Sequence, residues 1–398
     1  MRSRFPVAAG LGVLALVAGC VAVSWPGDSK LVPRHGGHPV GSSLWSWLFL
    51  GFTCATFVLY LGSLWALNRG GRLRLVVTLA LAIQLAPLAA PLLISTDAWT
   101  YWDYGRIAAV HGGNPYVNNP DDYRRDPGFR WVGTGWWDTS SVYGPAFTLA
   151  SEPLALADGG SAPAAAWTYK ALAAACMAAI VLLVARLTGS AFAVAFAGWN
   201  PLLALHLAGG GHNDAWMAAL VVAALAAAAS GRRQLAGIAW ALAILVKWVP
   251  LLFLGLRAAE ARGTRREVAH AGFAAAAAAV LGLATWRYGL HWLDAFGPLA
   301  RNANHESRFA IPHRLGGRPA ALAFAALFVL VYVWLLREAW RGRARLGLCA
   351  GLLLVATPWL VPWYAVWAVP LAAVEEDAAA KFLALGFSGY LLRQAIPL

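Results

Sequence analysis

The sequence predicts an all-α polytopic membrane protein, and its composition and the length of its apolar runs are the observations that indicate this fold class. Of its 398 residues, 60% are hydrophobic and only 12% are charged, whereas a soluble domain has roughly twice that charged fraction. Apolar runs of about 20 residues recur along the chain, and this is the length that a helix needs to cross the hydrocarbon core. We therefore expect a bundle of about 11–13 transmembrane helices that forms one domain over residues 1–398.

The excess of positive charge orients the predicted bundle. The net charge is +13, but the arginines cluster in short loops between the apolar runs, which is the positive-inside signal of a membrane protein and not the footprint of a nucleic-acid-binding surface. This pattern predicts a plasma-membrane protein with a cytoplasmic N-terminus, and it argues against nucleic acid as a partner. The first apolar run lacks a small-residue cleavage site, so we interpret it as a retained helix.

The predicted spans lead to a long outside segment. Helices near residues 5–25, 43–67 and 72–94 place residues 95–142 on the extracytoplasmic side. The next apolar segment, 145–157, is only about 20 Å long as a helix, so we expect it to lie in the outer leaflet or to re-enter it. Further crossings are expected near residues 163–187, 190–208, 212–230, 267–286, 319–340 and 379–396.

Two other apolar segments are predicted to be broken helices. Both flanks of residues 233–258 are arginine-rich and should be cytoplasmic. The segment is only about one span long, however, and a single crossing would put its two flanks on opposite sides of the membrane. Two shorter helices that meet near Lys247 satisfy both flanks, because Pro250 breaks the helix there. Residues 345–374 repeat the pattern, with Pro362 at the apex. Such backbone is tolerated at membrane depth only where it lines a cavity.

The two long outside loops differ in charge. Residues 95–142 carry six aspartates, one third of all acidic side chains, among many aromatic rings. Residues 287–318 carry mainly arginine and histidine. A carboxylate can take a proton from a hydroxyl group, and arginine suits phosphate because its planar fork donates two hydrogen bonds. One loop can therefore supply a general base and the other can bind an anion, and a sugar transfer from a lipid phosphate requires this pair of features.

Asp97 and Asp103 follow the apolar run at the expected helix exit. Either carboxylate could simply cap a helix or solvate its end, but the aromatic surroundings favour a functional role for Asp97. Six residues separate the two, so on one helix they would lie on different faces, and we expect one rather than both to act in catalysis. Arg106 is expected to pair with Asp103 or to contact a ligand.

Polar residues in apolar surroundings are the other candidates. The triplet His212, Asn213 and Asp214 follows three glycines at a predicted outside turn. One of these residues could cap the next helix, and the others could contact substrate hydroxyl groups. Lys247 lies in an apolar run, where an ammonium group costs several kcal/mol unless it has a partner or snorkels to water.

Four sequence blocks, taken in order, resemble the GT-C glycosyltransferases. They are most similar to the bacterial α-mannosyltransferases that use polyprenyl-phosphate mannose to extend envelope glycolipids and lipomannan-type polymers. The likeness covers most of residues 90–370. The blocks are DAWTYWDYGR at 97–106 with GNPY at 113–116, YGP at 143–145, GHND at 211–214 with Lys247 downstream, and PWY at 362–364.

The resemblance implies a GT-C-like bundle in which the first large outside loop supplies the catalytic acid, here Asp97. A jaw-like helix follows that loop, here residues 145–157. Such enzymes use a lipid-linked phospho-sugar in the outer leaflet and invert its anomeric centre. Three predicted helices precede the acidic loop in this chain, whereas family members often have one, so helix numbering does not transfer.

The resulting hypothesis is an inverting glycosyltransferase that moves a sugar, with mannose expected, from a polyprenyl-phosphate donor to a hydroxyl group of an envelope glycolipid or polysaccharide. Asp97 would act as general base, and His313 would protonate or hydrogen-bond the leaving phosphate. The residues predicted to bind the donor or the acceptor are Asp103, Arg106, Tyr143, His212, Asn213, Asp214, Lys247, Arg301, His305, Arg308, Arg314, Trp363 and Tyr364.

Other functions are open at this point. A transporter or flippase of lipid-linked sugars would also use broken helices and a buried lysine, although we find no inverted repeat. A catalytically inactive relative could serve as a scaffold, and an enzyme could take glucose or a pentose instead of mannose. The sequence requires no cofactor, but Asp97 and Asp103 could hold a divalent cation if the fold brings them together.

Overall fold

The computed structural model describes residues 5–68, 70–264, 270–303 and 306–398. Over these residues the chain forms helices joined by loops, without a β-strand, which confirms the predicted all-α fold. In chain order the helices are α1 (Phe5–Ala22), α2 (Ser43–Leu67), α3 (Leu73–Leu85), α4 (Asp97–Ala109), α5 (Pro145–Asp158), α6 (Ala162–Thr188), α7 (Ala191–Gly198), α8 (Pro201–Leu203), α9 (Asp214–Ala229), α10 (Arg233–Val246), α11 (Pro250–Gly263), α12 (His270–Tyr288), α13 (Phe296–Ala303), α14 (Ile311–Gly316), α15 (Arg318–Trp340), α16 (Leu346–Ala356), α17 (Val369–Val374) and α18 (Ala378–Tyr390).

The lengths of these helices confirm a polytopic membrane protein. Among the described residues, four helical stretches are long and apolar enough to cross a membrane, and a bent pair of helices would make a fifth. Other apolar helices have only 10–17 residues, so the full number of crossings stays a prediction. The four long stretches are Ser43–Leu67, Ala162–Thr188, His270–Arg301 and Arg318–Trp340.

The predicted helix over 72–94 is shorter than expected. It ends at Leu85, and a 3₁₀ turn over Ala86–Ala89 leads into irregular backbone. Pro87 and Pro91 explain this end, because each removes a backbone donor from a continuing helix. The carbonyl groups that remain are satisfied by a buried lysine of α6, Lys170, whose ammonium group donates to the backbone oxygens of Leu88, Ala90 and Pro91.

The predicted outside loop 95–142 begins with a helix that the sequence pattern did not indicate. α4 has 13 residues, and those from Ala98 to Ala108 are buried without interruption. A helix that is buried on all sides has no polar face, so it lacks the amphipathic period that identifies a helix in a sequence. α4 packs against α5 and α6, and this packing fixes the start of α4 in the interior of the bundle.

Both predicted helix breaks are present, and a third break was not predicted. α10 ends at Val246 and α11 begins at Pro250, while residues 357–361 separate α16 from the 3₁₀ helix over Pro362–Trp367. The span expected over 190–208 instead bends by 40° between α7 and α8. Asn200 caps the new helix there, and its side chain accepts from the backbone N–H groups of Leu202 and Leu203.

Candidate active site

A cavity of about 720 Å³ lies where α4 begins, beside the break between α10 and α11. Its walls come from distant parts of the chain, including the broken segment between α16 and α17. The two predicted helix breaks therefore line a cavity, as broken membrane helices require. The predicted site residues that line it are Asp97, Tyr143, Lys247, Trp363 and Tyr364.

Asp97 is the first residue of α4, and its side chain is 14% exposed on the cavity wall. Its Oδ2 atom lies 3.2 Å from Nδ1 of His212 and 3.5 Å from the Tyr101 hydroxyl. Burial raises the pKa of Asp97, but the neighbouring His212 imidazole, the Ser95 hydroxyl and the charge of Lys247 together outweigh it, so the pKa lies below its ordinary value. The positive end of the helix dipole acts in the same direction. Asp97 is therefore ionised at neutral pH and can accept a proton.

The triplet His212, Asn213 and Asp214 is fully buried behind the cavity wall. His212 stacks on Trp363, with ring centroids 3.7 Å apart and 13° between the ring planes. Despite the approach to Asp97, neither ring nitrogen of His212 meets hydrogen-bond geometry among the described residues, and Nδ2 of Asn213 and Oδ2 of Asp214 also lack a partner there. Leaving a buried polar atom unpaired costs about 1–3 kcal/mol, so this cluster indicates function rather than stability.

Lys247 occupies the break between α10 and α11, where its backbone is extended. Its ammonium group donates a 2.7 Å hydrogen bond to Oδ1 of Asp214, which also accepts one of 2.7 Å from the Trp367 indole. The ammonium group lies 5.1 Å from the ring centre of Tyr364, close enough for a cation–π contact. The Lys247 side chain is 17% exposed whereas that of Asp214 is fully buried. Lys247 thus has the partner that its burial requires, and its other N–H groups can serve a ligand in the cavity.

Tyr143 lines the cavity from the segment just before α5. Its ring packs edge-to-face on Tyr101, with centroids 5.1 Å apart. The next residue, Gly144, donates its N–H to the Val246 carbonyl over 3.1 Å. A Cβ atom at Gly144 would lie 2.1 Å from a backbone oxygen of α10, so glycine is required for this close approach. The contact joins the start of α5 to the break that carries the cavity lysine.

Asp103 and Arg106 are not among the described residues that line the cavity. Asp103 lies on a different face of α4 from Asp97, as the six-residue spacing predicts. Arg106 forms a bidentate ion pair with Asp126, through hydrogen bonds of 2.7 and 2.8 Å, and so does not pair with Asp103 as the sequence suggested. His111 lies 2.6 Å from the same Asp126 carboxylate. This cluster ties the end of α4 to the following loop, and donor binding by Asp103 and Arg106 remains a prediction.

The buried carboxyl of Asp103 makes stability depend on pH. Burial, followed by the charge of Asp126, raises its pKa to about 8. Since the unfolded value is about 3.9, the folded state binds more protons between about pH 4 and pH 8, and stability falls as pH rises through that range. We expect Asp103→Asn to remove this dependence. The melting temperature of the variant relative to that of wild type should then increase between about pH 5 and pH 9. Parallel pH profiles of the two proteins in thermal unfolding would contradict this expectation.

Two arginines of the basic segment 287–318, Arg308 and Arg314, contact an aromatic ring. Arg308 lies over Phe309, 5.0 Å from the ring centre, and Arg314 lies 5.3 Å from the same ring. Neither arginine is among the described residues that line the cavity. Phosphate binding by these two side chains therefore remains a prediction, and the structure does not bring them to Asp97.

The remaining predicted residues of that segment are also separate from the cavity lining. Nδ1 of His313 lies 2.8 Å from the Glu306 carboxylate. Arg301 is exposed on α13, and His305 lies outside the described residues. Among the described residues of this segment, Leu299 is the one that lines the cavity. Proton donation by His313 and phosphate binding by Arg301 and His305 stay predictions.

Two parts of the cavity were missed in the sequence. Tyr101 lies four residues after Asp97. If the sequence had shown a helix here, this i, i+4 spacing would have predicted that Tyr101 lies beside Asp97. Gly36 and Gly37 line the cavity from the loop between α1 and α2. No local motif indicates them, because their position depends on how α1, α2 and α3 pack.

The described residues contain no group of three or more histidine, cysteine or acidic side chains that could hold a metal ion. Asp97 faces the cavity and Asp103 does not, so the fold does not build the two-carboxylate site that the sequence left open. The charge opposite Asp97 is instead supplied by the lysine at the α10–α11 break.

Comparison with known proteins identifies the family. No solved structure matches the chain. The chain is 27% identical over 356 residues to alpha-(1->6)-mannopyranosyltransferase A of Mycobacterium tuberculosis, with 78% of this chain and 67% of the relative covered. A family model described as alpha-(1->6)-mannopyranosyltransferase, N-terminal domain, matches residues 7–261, a range that includes α4, the buried triplet and the α10–α11 break. The chain therefore belongs to the MptA/B family of alpha-(1->6)-mannopyranosyltransferases.

Proposed function

We propose that this protein is an inverting membrane mannosyltransferase that moves mannose from a polyprenyl-phosphate donor to a hydroxyl group of an envelope glycolipid or polysaccharide. Membership of a mannopyranosyltransferase family supports the sugar and an α-(1→6) linkage in the product. The observation that carries the proposal is the cavity that the ionised Asp97 shares with the partly exposed Lys247. These are the base and the cation that transfer from a lipid phosphate needs.

The reaction is a single displacement at the anomeric carbon of the donor. Asp97 takes the proton of the acceptor hydroxyl as its oxygen forms a bond to that carbon, and the bond from the carbon to the phosphate oxygen breaks. The polyprenyl phosphate leaves with one more negative charge than it had as a diester. Lys247 faces the cavity with N–H groups that its bond to Asp214 does not use, and it would stabilise that charge.

The walls of the cavity suit the two parts of such a donor. Trp363, Tyr364 and Trp367 line it near Lys247, and aromatic faces of this kind can stack on a sugar ring. Further along, the lining includes the apolar side chains of the first turn of α11, among them Leu251 and Leu252. That wall suits a prenyl chain, because burying each methylene group contributes about 0.8 kcal/mol.

The proposed orientation follows from the arginine clusters. By the positive-inside rule they support a position of the cavity on the extracytoplasmic side of the plasma membrane. Residues 95–142 and 287–318 would then be the outside loops, and α5 would be the jaw-like helix in the outer leaflet. Its 14 residues support this assignment, because a helix of that length is too short to cross.

The test of the function is a transfer assay with the purified full-length protein in proteoliposomes. The protein receives radiolabelled polyprenyl-phosphate mannose and either octyl α-mannoside or an envelope lipid extract as acceptor. We expect a labelled product that α-mannosidase cleaves, with release of one polyprenyl phosphate for each mannose transferred. Transfer from glucose or pentose lipids alone would overturn the sugar assignment, and movement of intact donor across the bilayer without cleavage would favour a flippase.

A further inference from the structure

We infer that the acceptor sugar binds on a glycine-lined wall of the cavity that is built by residues 36–37 and 133–135 beside Asp97. This inference rests on the proposed function and deepens it, because it assigns the second substrate to a place in the cavity. The five residues at these positions, Gly36, Gly37, Gly133, Thr134 and Gly135, all line the cavity. We call them the glycine wall.

The glycine wall is one continuous surface with the residue that precedes Asp97. A Cβ atom built on Gly37 would lie 3.2 Å from the methyl group of Thr96 and 3.3 Å from Cα of Gly133. One built on Gly133 would lie 2.6 Å from the Thr96 hydroxyl oxygen, and one on Gly36 would lie 3.2 Å from the methyl group of Thr134. The two loops therefore touch each other and also touch the turn that presents Asp97.

The loop that supplies Gly36 and Gly37 is fixed to the bundle. The Leu31 carbonyl accepts a 2.7 Å hydrogen bond from the backbone N–H of Ile94, and the Trp25 indole donates one of 2.9 Å to the Ala89 carbonyl. The His35 ring packs edge-on against Trp131, with centroids 4.7 Å apart. These bonds hold the loop against the turn before α4, so its glycines form a permanent part of the cavity wall.

The chemistry of the glycine wall fits a polyhydroxylated ligand. Gly36 and Gly37 have φ angles of 69° and 78°, which L side chains rarely adopt, so the loop places bare backbone at the cavity. The Gly37 N–H already donates to the Arg34 carbonyl, and the Gly133 carbonyl already accepts from the Trp136 N–H. The remaining backbone groups of these glycines and the Thr134 hydroxyl are therefore the ones that can bond to sugar hydroxyls.

Another part of the cavity lining is apolar and suits the lipid part of the donor. Trp248, Leu251 and Leu252 of the α11 region and Leu299 of α13 line the cavity there, and the ring of Trp248 lies 4.7 Å from that of Phe296. A prenyl chain matches this side and not the glycine wall. The glycine wall is then left for the acceptor, whose hydroxyl group must reach Asp97.

The test adds a side chain to the glycine wall without straining the fold. A Cβ atom on Gly135 meets no atom within 4 Å, and its φ angle is not in the left-handed region, so Gly135→Leu adds a bulky side chain at the cavity lining without a clash at Cβ or backbone strain. Gly27→Leu is the matched control, because Gly27 is an exposed loop glycine with equally open surroundings that is not among the described lining residues. We expect Gly135→Leu to raise the KM for octyl α-mannoside by about tenfold or more, as a steric change in a specificity pocket does. The donor KM of this variant and both KM values of Gly27→Leu should stay at their wild-type values.

A second variant and a binding assay separate this inference from the proposed function. Thr134→Val removes one hydroxyl group at constant volume and should raise the acceptor KM by a smaller factor. Binding of radiolabelled octyl α-mannoside without donor should be weakened by Gly135→Leu and kept by Gly27→Leu, whether or not transfer is detected. If wild type transfers mannose but Gly135→Leu has an unchanged acceptor KM, or a raised donor KM instead, the glycine wall is not the acceptor site. The enzyme assignment would still hold in either case. If no transfer is detected but Gly135→Leu weakens acceptor binding and Gly27→Leu keeps it, the enzyme assignment alone would be overturned.

Discussion

We expect replacement of Asp97 by asparagine to lower mannose transfer by a factor of about 10²–10⁴, which is the range that a general base contributes. Asparagine keeps the volume of the side chain and an oxygen near the Tyr101 hydroxyl, but it cannot take a proton. The neighbours of Asp97 keep its pKa low, so the wild-type carboxylate is ionised throughout the neutral range and this loss should not depend on pH there. The measurement is the initial rate of transfer at saturating donor, with both proteins present at equal amounts in proteoliposomes.

Asp138→Asn is the matched control for that experiment. Asp138 lies in the same segment as Asp97, its side chain is exposed near the Thr139 hydroxyl, and it is not among the described residues that line the cavity. The control makes the same change of charge and should keep the wild-type rate. Full transfer by Asp97→Asn would remove Asp97 from the role of base, and an equal loss in both variants would point to the charge of the segment instead.

The helix breaks show what local sequence signals can predict. A broken helix was predicted for the apolar run that has arginine-rich flanks, the length of one span and Pro250 near its middle. The structure has that break at Lys247. The signals there are local, because a proline ends a helix wherever the chain folds. Asp97 was also identified from a local signal, its place at the exit of an apolar run, and the structure has its side chain on the cavity wall.

The partners of these residues could not be predicted in the same way. Asp214 and Trp367 reach Lys247 from distant positions, and the aspartate was expected to cap a helix or to contact the substrate rather than to be the counter-ion of the lysine. Arg106 was expected to pair with Asp103 or to contact a ligand, but its ion pair is with Asp126 in the following loop. A single sequence shows which groups need partners, but the choice among candidates depends on how helices pack, which residue spacing does not encode.

The basic loop is the clearest case of a composition argument that the geometry does not follow. A carboxylate-rich loop and an arginine-rich loop on one face suggested that the two meet. In the described part of the chain, Arg308 and Arg314 stack on Phe309, and the cavity cation is Lys247. Charge composition indicates the kind of ligand a face prefers, whereas the position of a single ammonium group in the interior depends on a helix break.

Breaking the buried ion pair between Lys247 and Asp214 is the second substitution for which we expect a large effect, on both stability and transfer. Removing one member of such a pair leaves an uncompensated buried charge and costs about 3–5 kcal/mol. Lys247→Met should therefore lower the thermal midpoint of the detergent-purified protein steeply and abolish transfer. This variant alone cannot say whether transfer was lost with the fold or with the charge.

The double variant Lys247→Met with Asp214→Asn separates the two explanations. It removes both charges and keeps an amide oxygen for the Trp367 indole, so no buried charge is left unpaired and most of the thermal midpoint should return. If Lys247 stabilises the departing phosphate, transfer should still be lower than wild type by a factor of about 10²–10³, as when one preorganised donor to a developing charge is lost. Recovery of both stability and transfer in the double variant would make the lysine a structural group, and the phosphate would then need a cation from the basic segment 287–318.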